Sequence, residues 1–263
     1  MRDDAAKNPA ASVSASATSR ASLCAPATFV PLACAPDALT ISIDPSLPPE
    51  PTTSEQHRWA QACAHNPRLF NGSILRYLGC DAQARTIAAS RECYLRYAVQ
   101  HSGATEAHDR NSRNPDNALY QLAVTGLLVR ADADGCEHVL LGKRASATWV
   151  YPNYWEFAPA GGLENPDYLA QLEAEMHEEL GTLCQGVRLC AHAHAPSPMP
   201  VHISAHAPLQ ATCRVLGLAL DPNTPSADII VRVDLAAART SLLIEPNIGS
   251  AWEYTIVRWV PIV

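Results

Sequence analysis

The second half of the chain alternates apolar runs with polar turns, and one stretch changes to a helical spacing. The runs QLAVTGLLVR and HVLLGKRA, at 121–130 and 138–145, are typical of strands. β-branched and other apolar residues accumulate in four later segments, which we predict to be strands: 187–193, 213–220, 228–235 and 253–260. Between these groups, apolar residues recur at intervals of three and four from Pro166 to Gly181. This spacing predicts a helix whose apolar face consists of Leu169, Leu172, Met176, Leu180 and Leu183.

The first half of the chain divides into two regions by composition. Residues 1–54 are rich in Ala, Ser, Thr and Pro with little periodicity, so we predict a disordered tail with a short extended piece at 38–43. Residues 55–108 predict a small N-terminal α/β extension with a helix, two strands and a second helix, at 56–64, 73–80, 84–89 and 92–100. The polar stretch 109–117 is the predicted linker to a C-terminal domain at 118–263.

Composition and charge narrow the class of protein. The chain has 263 residues, of which 48% are hydrophobic, enough for a packed core. Its formal net charge of −7 argues against general nucleic-acid binding, for which a basic patch is expected. No apolar run reaches the roughly 18 residues of a membrane span, and the N-terminus lacks the pattern of a secretory signal. We therefore expect a cytoplasmic protein with neither a membrane nor a nucleic-acid partner.

The cysteines and histidines do not follow the spacing of a structural metal site. The nine cysteines show no C-x-x-C pair, so we expect reduced thiols rather than a disulfide framework or a zinc site. Four histidines fall in one predicted loop region, without a Cys or carboxylate partner at a standard spacing: His192, His194, His202 and His206. Solvent-facing loop histidines are the favoured interpretation.

The predicted helix also carries a cluster of carboxylates. Glu175, Glu178 and Glu179 stand at positions i, i+3 and i+4, so their side chains crowd one helix surface. Like charges packed in this way repel, and a hard cation with oxygen ligands relieves that repulsion. Taken alone, such a cluster is usually a solvated helix face. The double glycine that precedes the helix is what makes a metal site the better hypothesis.

The glycine loop and acidic helix resemble the signature of the Nudix hydrolases. The residues that match the opening glycine and the helical half of that signature are Gly162, Glu175, Met176, Glu178, Glu179 and Gly181. The preceding strand order is also similar, and the resemblance covers about residues 118 to 260. It implies a Nudix-like α/β/α sandwich around a mixed β-sheet. It also implies hydrolysis, dependent on Mg²⁺ or Mn²⁺, of the diphosphate bond in a nucleoside diphosphate linked to another moiety.

Two departures from the signature bear on activity. The loop from Gly162 to Glu178 is two residues short, so the early glutamate of the motif has no clean match, and Glu164 or Asp167 is its substitute. Ala174 stands where the family has an arginine that orients a catalytic glutamate through an ion pair. The metal carboxylates remain, but full activity is in doubt.

The resemblance implies roles for individual residues. Glu175, Glu178 and Glu179 would be catalytic metal ligands, with Glu164 as a further ligand. One of the three, or Glu253 from a later loop, would act as the base.

Substrate contacts are expected from the strand that precedes the signature and from its glycines. Lys143 and Arg144 are candidates for holding phosphate oxygens, or form an ordinary basic strand end. Trp155 is a candidate stacking surface, although aromatic residues at strand ends also serve as core. Gly161 and Gly162 would let the backbone approach the substrate.

The N-terminal extension resembles the region before the Nudix fold in the UDP-glucose and UDP-galactose diphosphatases of animals. The resemblance rests on Trp59, NPRLFNG at 66–72 and CYLRYAVQH at 93–101. It implies a UDP-sugar substrate that is cleaved to UMP and a sugar 1-phosphate. The alternative is a catalytically weak Nudix-fold protein that binds or senses a nucleotide sugar. A homodimer is left open.

Overall fold

One mixed β-sheet organises the residues that the computed structural model describes: 26–102, 118–148, 151–184, 187–190, 209–235 and 253–262. The strands are β1 Thr28–Cys34, β2 Thr40–Asp44, β3 Ser73–Asp81, β4 Thr86–Cys93, β5 Gln121–Ala131, β6 Glu137–Arg144, β7 Trp155–Phe157, β8 Ala160–Gly162, β9 Val187–Cys190, β10 Leu209–Asp221, β11 Ser226–Asp234 and β12 Tyr254–Pro261. The helices are α1 Thr53–His65, α2 Tyr94–Ser102 and α3 Tyr168–Leu180.

The strand order is β1-β10-β11-β5-β3-β4-β2, and the remaining strands branch from this path. β11 and β5 pair in parallel, whereas β10 and β11 are antiparallel, so the sheet is mixed. β8 pairs with β5, while β7 pairs with β6, which also pairs with β12. The predicted α/β class with a mixed sheet is therefore confirmed. The predicted later strands correspond to β9, β10, β11 and β12.

Helices lie on both faces of the sheet. Leu75 of β3 belongs to the large core cluster that also holds Leu172 and Met176 of α3. The neighbouring residue Ile74 belongs to a separate cluster with Tyr97 of α2. Because successive side chains of a strand point to opposite faces, α3 and α2 cover different faces of β3.

The prediction of a disordered tail over residues 1–54 is wrong for its second part. β1 pairs with β10, and β2 pairs in parallel with β4. Leu32, Cys34 and Leu39 are buried in the main core. The local pattern is weak because Pro31 and Pro36 interrupt these short segments, and neighbouring strands supply their backbone partners.

The N-terminal extension is continuous with the sheet of the C-terminal part. The Leu75 amide donates a hydrogen bond to the Leu163 carbonyl at 2.7 Å, and the Tyr77 amide donates to the Tyr120 carbonyl at 2.9 Å. β3 is thus fastened beside the loop that follows the double glycine at 161–162. The extension lies next to the residues singled out by the signature.

Local sequence explains where the helices begin and end. α1 starts with a capping box, in which the Thr52 side chain and the Glu55 side chain each bind the other's backbone amide. α3 begins after Asp167, whose carboxylate accepts a hydrogen bond from the Ala170 amide, so Pro166 precedes the cap. Gly181, with a φ of 52°, ends α3 in a backbone conformation that favours glycine.

Some predictions fall outside the described residues. The linker at 109–117 and the histidines within 191–208 belong to this group. Within the part of the chain that the structure does describe, no helix is long and apolar enough to cross a bilayer.

Candidate active site

α3 distributes its three clustered glutamates between core and cavity. Glu179 is buried, with only 4% of its surface exposed, whereas Glu175 is half-buried and Glu178 is exposed. The burial of Glu179 follows from its position beside Met176 and Leu180, which anchor α3 in the core. The three clustered carboxyl groups of α3 therefore range from buried to solvent-exposed.

Gly161 lies directly under the Glu175 carboxyl group. A Cβ atom at residue 161 would overlap the side chain of Glu175. The Gln171 side-chain amide donates a hydrogen bond of 2.7 Å to Glu175 Oε1 from one helical turn earlier. The glycine and the glutamine together fix where Glu175 sits.

The protein interior shifts the acidity of these carboxyl groups. Burial raises the pKa of Glu175 to about 7, and the nearby charges of Glu178 and Glu253 act in the same direction. Burial also raises the pKa of Glu179, with Glu253 and Glu175 adding to the effect. A divalent cation at this position would lower both pKa values by compensating the negative charge.

One oxygen of Glu179 is left without a donor. Its Oε2 accepts a hydrogen bond of 3.2 Å from the Ala160 amide. Its Oε1 is buried and receives no hydrogen bond from a donor group among the described residues, while the neighbouring carboxyl group is that of Glu253. Buried acceptors are normally paired, so this atom is a natural ligand for a cation.

Arg144 connects two further carboxylates to the site. Its guanidinium group contacts Glu156 at 2.6 Å and Glu253 at 2.9 Å. The Tyr254 hydroxyl donates a second hydrogen bond to Glu156 at 3.0 Å. Glu253 directly precedes β12. Its ion pair with Arg144 holds it close to the buried Glu179.

Part of this cluster opens into a cavity of about 1070 Å³ between α3 and the N-terminal extension, whereas Glu179 and Gly161 do not line it. Five residues predicted as site residues line it, together with Glu253: Arg144, Gly162, Glu164, Glu175 and Glu178. The family-like loop and helix are thus brought together with Arg144 and Glu253, which are distant in sequence.

Lys143 and Trp155 lie elsewhere. They are directly paired residues of β6 and β7, one position away from Arg144 and Glu156. Alternation along a strand turns their side chains to the opposite face, and neither lines the cavity. Arg258 lies 4.4 Å above the Trp155 ring, so that ring already has a cationic partner. The structure therefore separates these two residues from the carboxylate cluster.

Several lining residues were not singled out from the sequence. Gln171 has a readable signal, because it precedes Glu175 by four positions on the same helix face. Gln121 has none, since its position beside Gly162 depends on the pairing of β5 with β8. The lining residues Arg68, Phe70 and Tyr94 belong to the segments that resemble UDP-sugar diphosphatases, but the sequence assigns none of them a role in the site.

The three carboxylates are suitable ligands for a divalent cation, but their oxygens are too far apart to bind one together as they stand. The oxygens of Glu175, Glu178 and Glu179 do not all lie within 4.8 Å of one another. In the described residues, a trio that meets this distance is Asp132, Cys136 and His138, at the turn between β5 and β6. Asp132 there accepts hydrogen bonds from the Asp134 and Cys136 amides, as in an ordinary tight turn.

No protein-family model matches the sequence, and no curated protein does so. Solved structures to which the chain is similar include a Nudix hydrolase from Alicyclobacillus acidocaldarius, at 20% identity and a TM-score of 0.34, covering 54% of this chain and 79% of that one. The Nudix hydrolase RenU from M. smegmatis is similar at 18% identity and a TM-score of 0.33, covering 55% and 74%. A MutT protein from Methanosarcina mazei Go1 gives 16% identity and 0.29, covering 54% and 76%. At TM-scores this low, the likenesses assign no activity to the chain.

Proposed function

We propose that this protein hydrolyses the diphosphate bond of a nucleoside diphosphate linked to another moiety, and that Mg²⁺ or Mn²⁺ is required. The observation that carries the proposal is the buried Glu179 carboxyl, which has a raised pKa and one oxygen that no donor reaches, next to Glu253, which lines a large cavity. An interior carboxylate of this kind is costly unless it serves a ligand. Glu175, Glu178 and Glu179 are the residues that would hold the cation.

A bound divalent cation would supply charge neutralisation at the phosphate oxygens. The protein's own residues supply position and a base. Arg144 holds Glu253 beside Glu179, so Glu253 is our candidate to accept the proton of the attacking water. The new bond joins the water oxygen to one phosphorus, the bridging phosphorus–oxygen bond breaks, and the leaving phosphate keeps the bonding electrons.

The substrate class that we favour is a UDP-sugar, cleaved to UMP and a sugar 1-phosphate. Two features support it. The N-terminal extension resembles that of UDP-sugar diphosphatases, and its residues line the same cavity as the carboxylates. A volume of about 1070 Å³ leaves room for a ligand with two parts joined by a diphosphate.

A second candidate function is binding or sensing of a nucleotide sugar without efficient turnover. Ala174 favours it, because this exposed residue of α3 provides no cation to orient a glutamate. The observed partners of Glu175 and Glu253 argue the other way, since Gln171 and Arg144 already orient these two groups. Hydrolysis is therefore our first choice.

A substrate panel tests the proposal. Purified protein is incubated with Mg²⁺ and UDP-glucose, UDP-galactose, ADP-ribose, NADH or diadenosine polyphosphates, and products are separated by ion-exchange chromatography. We expect UMP and a sugar 1-phosphate from the UDP-sugars, with no product in EDTA. Equal or faster cleavage of ADP-ribose would reject the UDP-sugar class. Absence of turnover together with thermal stabilisation by UDP-glucose would favour the binding protein.

A further inference from the structure

The N-terminal extension contributes a chemically distinct part of the cavity wall. Carboxylates line the part that belongs to α3 and its neighbouring loops. Residues of the N-terminal extension line another part. They include a basic pair and an aromatic pair: His65, Arg68, Phe70 and Tyr94. A ligand that fills the whole cavity would meet acidic groups at one part and aromatic rings at another.

Phe70 is a large aromatic side chain left open at this wall. The residue is 78% exposed and lines the cavity. Two of its carbons lie 3.4 and 3.5 Å from the point where a Cβ of residue 72 would stand, and Glu164 Oε1 is 3.9 Å from the same point. Because Gly72 has no side chain, the ring and the Glu164 carboxylate converge over its backbone. Phe70 thus stands at the junction between the extension and the site loop.

Tyr94 lines the same cavity and packs against neighbouring aromatic rings. Its ring packs edge-on against Trp59, with centroids 6.2 Å apart, and lies 5.8 Å from the ring of Tyr97. Its backbone amide donates a hydrogen bond of 2.9 Å to the Gly72 carbonyl. Burial raises the pKa of the Tyr94 hydroxyl, so the group stays protonated and uncharged at neutral pH. Preorganised aromatic surface of this kind binds at a low cost in side-chain entropy.

We propose that Phe70 and Tyr94 form the binding site for the nucleobase, and that they select the nucleoside half of the substrate. The inference rests on the proposed function for the placement of the diphosphate at the carboxylates. A nucleobase has a π face that stacks on an aromatic ring, at about 1–3 kcal/mol per base, whereas a hexose has none. The base is therefore the half of the ligand that this wall fits best.

Direct binding measurements test the nucleobase site apart from catalysis. Affinities of UMP, CMP, AMP, GMP and glucose 1-phosphate are measured by calorimetry in EDTA, for the wild type, Phe70→Ala and Phe70→Trp. The matched control is Phe29→Ala, since Phe29 is also an exposed aromatic residue, at 53%, but does not line the cavity. We expect the tightest nucleotide to bind about tenfold more weakly to Phe70→Ala and to retain its affinity in Phe70→Trp and Phe29→Ala.

The outcomes separate this inference from the proposed activity. Unchanged nucleotide affinity in Phe70→Ala, or no binding of any of the four nucleotides to the wild type, would overturn the nucleobase site. A loss confined to glucose 1-phosphate would assign the wall to the sugar and also overturn it. Phe70-dependent binding in a protein that cleaves no compound of the substrate panel would keep the nucleobase site and reject the hydrolase. Hydrolysis that does not depend on Phe70 would do the reverse.

Discussion

The Glu175 carboxyl group occupies the space that a side chain at residue 161 would need. Gly161 is therefore required for close packing between the loop and α3. The same packing buries Glu175 enough to raise its pKa to about 7, with burial as the main cause. Gly161 thus lets the loop backbone reach a carboxyl group that we propose as a metal ligand.

Gly161→Ala is predicted to displace Glu175 and weaken metal binding. We expect Mn²⁺ affinity to fall about 10- to 100-fold, the range found when groups supporting a metal site are removed. The control is Gly79→Ala, because a Cβ at residue 79 meets no atom within 4 Å. Calorimetric titration with Mn²⁺ checks the prediction. Equal affinities of Gly161→Ala and the wild type would show that Glu175 is not a ligand.

Arg144→Lys is predicted to lower the turnover number. Lysine keeps the positive charge but cannot present a planar fork to Glu156 and Glu253 together, so Glu253 would lose its fixed position. We expect kcat to fall about 10- to 100-fold. Arg232→Lys is the matched control, because Arg232 also pairs with two carboxylates, Glu137 and Asp234, but does not line the cavity. Steady-state kinetics in which both variants behave alike would contradict the assignment.

Ala174→Arg is predicted to have little effect, less than about threefold in kcat, if the protein is an enzyme. The reason is that Gln171 and Arg144 already orient Glu175 and Glu253. Under the alternative of a protein that lost catalysis, restoring the arginine should raise the rate strongly. Comparing the initial rates of the two proteins on one UDP-sugar decides between these outcomes.

The raised pKa of Glu175 predicts how stability depends on pH. The pKa is about 7 in the folded protein and 4.5 for a glutamate in the unfolded chain, so between these values the folded state binds more protons than the unfolded state. The stability of the metal-free protein should therefore fall as pH rises from 4.5 to above 7. Glu175→Gln removes this loss and should stabilise the protein at pH 8, by at most about 3 kcal/mol, with little effect at pH 4.5.

Urea unfolding in EDTA at both pH values measures this effect. Glu50→Gln is the control, since Glu50 is exposed and does not line the cavity. A Glu175→Gln variant that is no more stable than the wild type at pH 8 would contradict the burial of an ionisable site carboxyl.

Much of the fold was readable from local sequence. The spacing of Leu172, Met176 and Leu180 predicted α3 and its buried face, and the structure confirms both. β1 and β2 were missed because their stability comes from pairing with β10 and β4, which no local pattern records. The sequence therefore predicted elements that bury their own faces and missed those that depend on distant partners.

The candidate site shows the same division. Glu175, Glu178 and Glu179 are close in sequence, so helix geometry alone brings them together. The ion pair of Arg144 with Glu253 joins two residues that are distant in sequence. The pairing of β6 with β12 brings them together. Lys143 points away from the cavity, whereas Phe70 lines it. The spacing of residues in the sequence predicts neither result, because both depend on how the strands pair.

The buried carboxyl of Glu179 offers the most direct test of the central claim. Cleavage of the UDP-sugar by the wild type and by Glu179→Gln is measured with Mg²⁺ and with EDTA, after circular dichroism has shown that both proteins are folded. Glutamine has nearly the same size and retains an oxygen for the Ala160 amide, but it removes the charge. We predict cleavage by the wild type that EDTA abolishes and that falls about 100-fold or more in Glu179→Gln. Equal rates in the two proteins, or wild-type cleavage that persists in EDTA, would contradict a metal-dependent diphosphatase built on this helix.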